Sequence, residues 1–104
     1  MLLTPAPDPR VPIGRQGRFL LSEPEWQAIA GRLNLSPREL QIVRCVFDDR
    51  KEKAIAAELA ISSHTVHTHL VRLYRKLRVA SRIELIVRVM AEDVVQSSRT
   101  ARSA

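Results

Sequence analysis

Helix-start signals recur five times between residues 22 and 81, and they leave room for little except a set of short helices. Ser22-Glu23-Pro24-Glu25 has the form of a capping box, with Leu21 and Trp26 placed as a hydrophobic staple. Ser36-Pro37-Arg38-Glu39 is a second box, with proline at the first helical position and Leu35 and Leu40 as its staple. Asp49-Arg50-Lys51-Glu52 and Ser81-Arg82-Ile83-Glu84 repeat the pattern, and Ser62 opens a further helix with Thr65 at the third position. In each case a short polar side chain accepts from an N–H that the first helical turn leaves without a partner. Apolar residues follow each start at helical spacing, no alternating strand pattern competes, and aromatics are only 4% of the chain. The expectation is an all-α fold.

The two ends read differently. Residues 1–18 carry Pro5, Pro7, Pro9 and Pro12 together with Gly14 and Gly17, which predicts a loose arm. Its Arg10, Arg15 and Arg18 face only Asp8; the arm is expected to be a solvated tail, with contact to a phosphate backbone as the alternative. Residues 19–34 form an accessory helix in which Trp26, Ile29 and Leu33 follow core spacing, residues 35–95 form the main domain, and residues 96–104 form a polar, frayed tail. The lone Cys45 lies in the apolar run of Ile42, Val43, Val46 and Phe47, so core packing is expected and an internal disulfide is excluded. No apolar run is long enough to span a bilayer, and residues 1–12 lack the basic start of a signal peptide, so a cytoplasmic location is expected. The net charge of +6 favours a polyanion partner; on charge alone DNA, RNA and acidic membrane all stay open.

Residues 62–77 narrow that choice. At about 100° per residue, Val66, Leu70, Leu73 and Leu77 share one narrow stripe that must face a core. His64, Thr68, Val71 and Arg75 lie opposite, flanked by His67 and Arg72. No Asp or Glu occurs between Leu59 and Ile83, whereas Arg72, Arg75, Lys76, Arg78 and Arg82 all do. A solvated helix face normally mixes signs, so this one is suited to an anion. The segment before it supplies Ile55, Ala56 and Leu59 and ends near Ala60, which makes a helix-turn-helix with residues 62–77 as the second helix. A membrane-surface helix is the weaker reading, because the apolar stripe is needed for packing.

Several of these residues carry a resemblance. Leu35-Ser36-Pro37-Arg38-Glu39, Lys53-Ala54-Ile55-Ala56, Leu59, Ile61-Ser62, Thr65-Val66, His69, Lys76-Leu77, Val79 and Ser81-Arg82 together resemble the LuxR-type helix-turn-helix domain over about residues 35–95. The resemblance implies a four-helix DNA-binding domain within a transcription regulator, a bacterial, nucleoid-bound location, and a last helix that makes a dimer contact on inverted-repeat sites. It places base reading on His67, Thr68 and Val71, to which the angular reading adds His64. It places backbone contacts near Lys53, Ser62, Thr65 and Lys76; position and charge add Lys51, Ser63, Arg72, Arg75, Arg78 and Arg82. The chain departs from the family pattern at Asp49, Lys51 and Glu52, which predicts an earlier helix start capped by Asp49. It departs also at Ala54, where a Glu is usual, and at His67, where a Lys is usual. The family's receiver or ligand-binding domain has no room in residues 1–34, so a free-standing regulator, or one signalled through a partner, is expected.

Other constellations are weaker. His64, His67 and His69 fall within six residues, but no Cys, Asp or Glu lies near to complete a tetrahedral set, so neither a metal nor a cofactor is expected. Nothing has the form of an active site. In the last helix Ile83, Ile86, Val87 and Met90 make a core stripe and Leu85 and Val89 a second strip, which is read as a homodimer contact. Double-stranded DNA is the expected main partner, with RNA polymerase or a larger regulator as further ones. The competing function is a protein-interaction adaptor that keeps the fold and pairs with a larger regulator without touching DNA, a reading that Ala54 and Glu52 permit.

Overall fold

The computed structural model describes residues 13–103, and side chains over residues 16–98. Turns of 3-10 helix over Ile13–Leu20 lead into five α-helices: α1 (Glu23–Arg32), α2 (Pro37–Phe47), α3 (Glu52–Leu59), α4 (Ser63–Leu77) and α5 (Arg82–Ser103). No strand occurs among the described residues, so the architecture is all-α.

Four of the five expected starts are built from the residues read in the sequence. Ser22 Oγ accepts from Glu25 N (3.3 Å) while Glu25 Oε1 accepts from Ser22 N (2.8 Å), and Ser36 and Glu39 repeat the exchange at 3.1 and 2.8 Å. Ser62 Oγ accepts from Thr65 N at 3.0 Å, and Ser81 Oγ from Glu84 N at 3.2 Å. The fifth expectation is corrected: α3 does not begin at Asp49. Asp49 has φ 56° and its N–H donates to Val46 O (2.9 Å), so it closes α2; Lys51 is the N-cap of α3 and offers no side-chain bond. A residue held in the left-handed region cannot also take the extended backbone of an N-cap.

The helix ends share one device. Among the described residues Asn34, Asp49, Ala60 and Arg78 have positive φ, each just past a helix. The next N–H in each case reaches back five residues: Leu35 to Ala30 O, Arg50 to Cys45 O, Ile61 to Ala56 O and Val79 to Tyr74 O, at 2.8–3.1 Å. These bonds satisfy carbonyls the last turn would otherwise leave open, and Leu35, Ile61 and Val79 also tuck against the core.

The core is centred on α2, which packs against the 3-10 segment, α4 and α5, while α1 packs on α5 and α3 on α4. Trp26, Ile29, Ile42, Val43, Cys45, Val46, Ile55, Val66, Leu73, Leu85 and Val89 are its most enclosed side chains. Trp26 meets Phe47 edge-to-face with centroids 4.8 Å apart and donates from its indole to Arg18 O (2.8 Å), so it is a packing residue and not an open aromatic.

Three further expectations change. The arm expected over residues 1–18 is not loose at its inner end: Gly17 is buried, and a Cβ there would fall on the carbonyl of Phe47. Arg18 beside it donates from its backbone N–H (2.8 Å) and its guanidinium to the buried Asp48. Residues 1–12, including Arg10, lie outside the described residues, as does the side chain of Arg15. At the other end α5 continues through Ser103, where a frayed tail from residue 96 was expected. Finally, Leu85 and Val89 are fully buried, so they are core and not a dimer contact. Ile83, Val87 and Val94 form the open strip instead, at 74%, 61% and 63% exposure. The rotation of α5 is set by α1, α2 and α4 packed against it, and an apolar pattern on both faces leaves that rotation unspecified in the sequence.

Candidate nucleic-acid interface

The helix-turn-helix is made by α3 and α4. Between them stand Ala60, Ile61 and Ser62: Ala60 takes φ 56° and ψ 43°, Ile61 anchors the turn to Ala56 and the core, and Ser62 caps α4. A three-residue connection of this kind reverses the chain tightly enough for the two helices to pack on each other.

On α4 the buried residues are Val66, Leu70, Leu73 and Leu77, the stripe read from the sequence. His64, His67, Val71, Arg72 and Arg75 are exposed, and Thr68 is half-buried beside them. Ser63 at the first turn and Arg78 just past the helix are exposed as well. The α3 side adds exposed Lys51 and Lys53. Among the described residues none of Lys51, Lys53, Arg72, Arg75 and Arg78 has a carboxylate within ion-pair distance.

The remaining expected backbone residues are already engaged. Lys76 Nζ donates to Glu39 Oε1 (2.9 Å) and to the carbonyl of Asn34, which ties α4 to the start of α2. Burial raises the Glu39 carboxyl's affinity for a proton, but Lys76 and Ser36 outweigh it and hold the group below the usual range. Arg82 donates to Arg50 O at 2.5 Å. The Ser62 and Thr65 hydroxyls lie 2.8 Å apart within the cap.

One contact had no signal in the sequence. His67 Nδ1 lies 3.0 Å from Glu52 Oε2, so a base-reading candidate on α4 is bonded to the first residue of α3. The two are fifteen positions apart, and only the turn brings them together. Among the described residues His64, His67 and His69 do not gather with other His, Cys, Asp or Glu into a group that could hold a metal. Cys45 is enclosed; burial, and then the bond its thiol donates to Glu58 Oε2 (3.1 Å), push the thiol up to about 12, so it stays protonated. No described helix is long and apolar enough to cross a membrane.

A short-turned helix pair with a cationic, carboxylate-free second helix defines a helix-turn-helix protein. The pattern of bacterial regulatory proteins of the luxR family matches residues 33–89, and the chain belongs to that family. It is 43% identical over 53 residues to a protein of Mycobacterium bovis named for the HTH-type transcriptional regulators, a match covering 51% of this chain and 6% of that protein. It is 32% identical over 77 residues to the HTH-type transcriptional regulator MalT of Vibrio campbellii (74% of this chain, 8% of that protein). Against MalT of Serratia proteamaculans the identity is 34% over 67 residues (64% and 7%). The chain thus spans well under a tenth of the length of these relatives. No solved structure matches it.

Proposed function

We propose that this chain binds duplex DNA sequence-specifically and regulates transcription, with α4 in the major groove. The observation that carries the reading is the exposed face of α4, where Arg72 and Arg75 stand without carboxylate partners among the described residues. Duplex DNA supplies the missing anions, and release of its counterions drives association. His64, His67, Thr68 and Val71 face the base edges; Thr68 offers a hydroxyl and a methyl, and Val71 an apolar contact for a thymine methyl. Lys51, Lys53, Ser63, Arg72, Arg75 and Arg78 meet phosphates. Lys76 and Arg82 join them on giving up their internal partners, and Ser62 and Thr65 contribute from the capped turn.

The protein acts as a homodimer on an inverted repeat, paired through Ile83 and Val87 of α5. These side chains line a shallow apolar hollow of about 350 Å³ with Val79 and Ala91. Glu84 and Arg88 border it with opposite charges; a two-fold antiparallel pairing of α5 sets them against each other, with Arg88 shared between Glu84 of the second copy and its own Glu92 at 3.0 Å. Val87→Asp is expected to give a monomer by sedimentation and to weaken binding to a two-half-site duplex far more than to a single half-site.

The test of the main reading is a gel shift against genomic fragments at two salt concentrations. A preferred site whose affinity falls steeply with salt supports the regulator. No shift at either salt supports the adaptor that pairs with a larger regulator.

A further inference from the structure

We propose that Glu52 is a positioning residue that fixes His67 as a hydrogen-bond acceptor toward the DNA, so that position 67 selects a base bearing an amino group in the major groove. The inference rests on the reading of α4 as the base-reading helix.

The chemistry follows from one contact. Glu52 Oε2 lies 3.0 Å from Nδ1 of His67, and an ionised carboxylate only accepts. The proton of a neutral imidazole is therefore held on Nδ1, and Nε2, at the far side of the ring, carries a lone pair. In the major groove an acceptor is matched by cytosine N4 or adenine N6, and mismatched by guanine O6 and N7 or thymine O4. A cationic side chain at the same place donates only and selects the opposite set. Both partners are partly exposed, at 59% and 39% of their side-chain surface. An exposed pair of this kind adds little to stability, so its consequence is the orientation and tautomer of the ring.

Selection from randomised duplexes at pH 8.0 tests this with the intact chain and three variants. His67→Lys marks the base pair that residue 67 touches, as the position where its preference departs from wild type. At that pair wild type is expected to favour cytosine or adenine by about ten-fold, and His67→Lys to favour guanine. Glu52→Gln, nearly isosteric, lets an amide donate to Nδ1 and so releases the other tautomer. It is expected to erase or reverse the preference at that pair while leaving other positions unchanged. Glu52→Ala should erase it too, and circular dichroism checks that all three variants keep wild-type helicity. A wild-type preference for guanine there overturns the proposal, as does a preference that survives both Glu52 variants. If wild type enriches no sequence, the reading of α4 falls as well, an outcome distinct from a site that exists but ignores Glu52.

Discussion

The arginines that hold the helices together and those along α4 are the same residue type put to opposite uses. Arg18 meets Asp48 and Glu58, Arg44 meets Glu23 at 2.7 Å, Arg32 and Arg88 share Glu92 at 2.5 and 3.0 Å, and Arg50 reaches Glu58 at 3.4 Å. Arg72, Arg75 and Arg78 have no such partner among the described residues. Acceptors respond to the first group: Arg44, then Gln27, hold Glu23 below the usual carboxyl range, and Arg32, then Arg88, do so for Glu92. Glu58 is lowered first by the Cys45 thiol and then by Arg50 and Arg18. Charge is neutralised internally where it joins segments and left open along α4, where the proposed DNA would supply the counter-charge. Loss of a cation should therefore cost stability in one region and affinity in the other.

The sharpest break of that comparison is on the joined side. Trp26 is enclosed and sits under the Arg44 guanidinium, 5.6 Å from the ring centroid. Trp26→Ala is expected to destabilise the fold by about 3–5 kcal/mol, read as a lower urea midpoint. Next comes Asp48→Ala, which leaves the Arg18 backbone N–H and guanidinium without their main acceptor. The guanidinium retains some solvent, so the loss should be about 2 kcal/mol, and the affinity of the folded fraction for DNA should not change. On the open side Arg72→Ala with Arg75→Ala should leave the urea midpoint within about 0.5 kcal/mol of wild type. It should make the slope of log affinity against log salt shallower by about 1.8, at roughly 0.9 per phosphate contact. A stability loss from the α4 pair, or an affinity loss from Asp48→Ala, would erase the distinction between the regions.

The same division separates what the sequence reveals from what it hides. Helix starts are legible because Ser22, Ser36, Ser62 and Ser81 act through bonds three residues away, and the α4 stripe is legible because one face is wholly apolar. Helix stops are not, since Asn34, Asp49, Ala60 and Arg78 occupy the positions where glycine would have marked them. Asp49 is ambiguous for that reason: a polar residue before a helix suits either a cap or a stop, and its backbone decides. The partners Arg18–Asp48 and His67–Glu52 are thirty and fifteen positions apart and carry no periodic signal. The burial of Leu85 and Val89 is not legible either, because a helix apolar on both faces reveals its inward one only through its neighbours.

The turn between α3 and α4 gives a smaller, oppositely signed prediction. Ala60 holds φ 56°, a conformation that costs a side chain with a Cβ about 1–2 kcal/mol and glycine almost nothing. Glycine also has more freedom to lose on folding, so Ala60→Gly should stabilise by about 0.5–1 kcal/mol net. Thermal unfolding checks it, and the base preference proposed for α4 should stay as in wild type because none of its exposed side chains moves.

The smallest effect lies between α1 and α5, where the joined side departs from its own rule by placing two acids together. Asp93 is half-buried; burial, and then the negative charge of Glu25, raise its carboxyl above the ordinary value of 3.8. Glu25 itself is held low, first by the Ser22 backbone N–H of the capping box. The two shifts have opposite consequences. For Glu25, as for Glu23, Glu39, Glu58 and Glu92, the lowered carboxyl adds stability at neutral pH that is lost as pH falls below the ordinary value of 4.5. For Asp93 the raised carboxyl means the folded chain holds its proton more tightly than the unfolded chain. That contribution is therefore favourable below 3.8 and fades as pH rises through the raised value. Asp93→Asn removes the repulsion and should stabilise by about a few tenths of a kcal/mol at pH 7, given solvent screening. The gain should vanish as pH is lowered past 3.8. A gain that persists unchanged there would mean that the asparagine improves packing against α1 and that the two carboxylates do not repel.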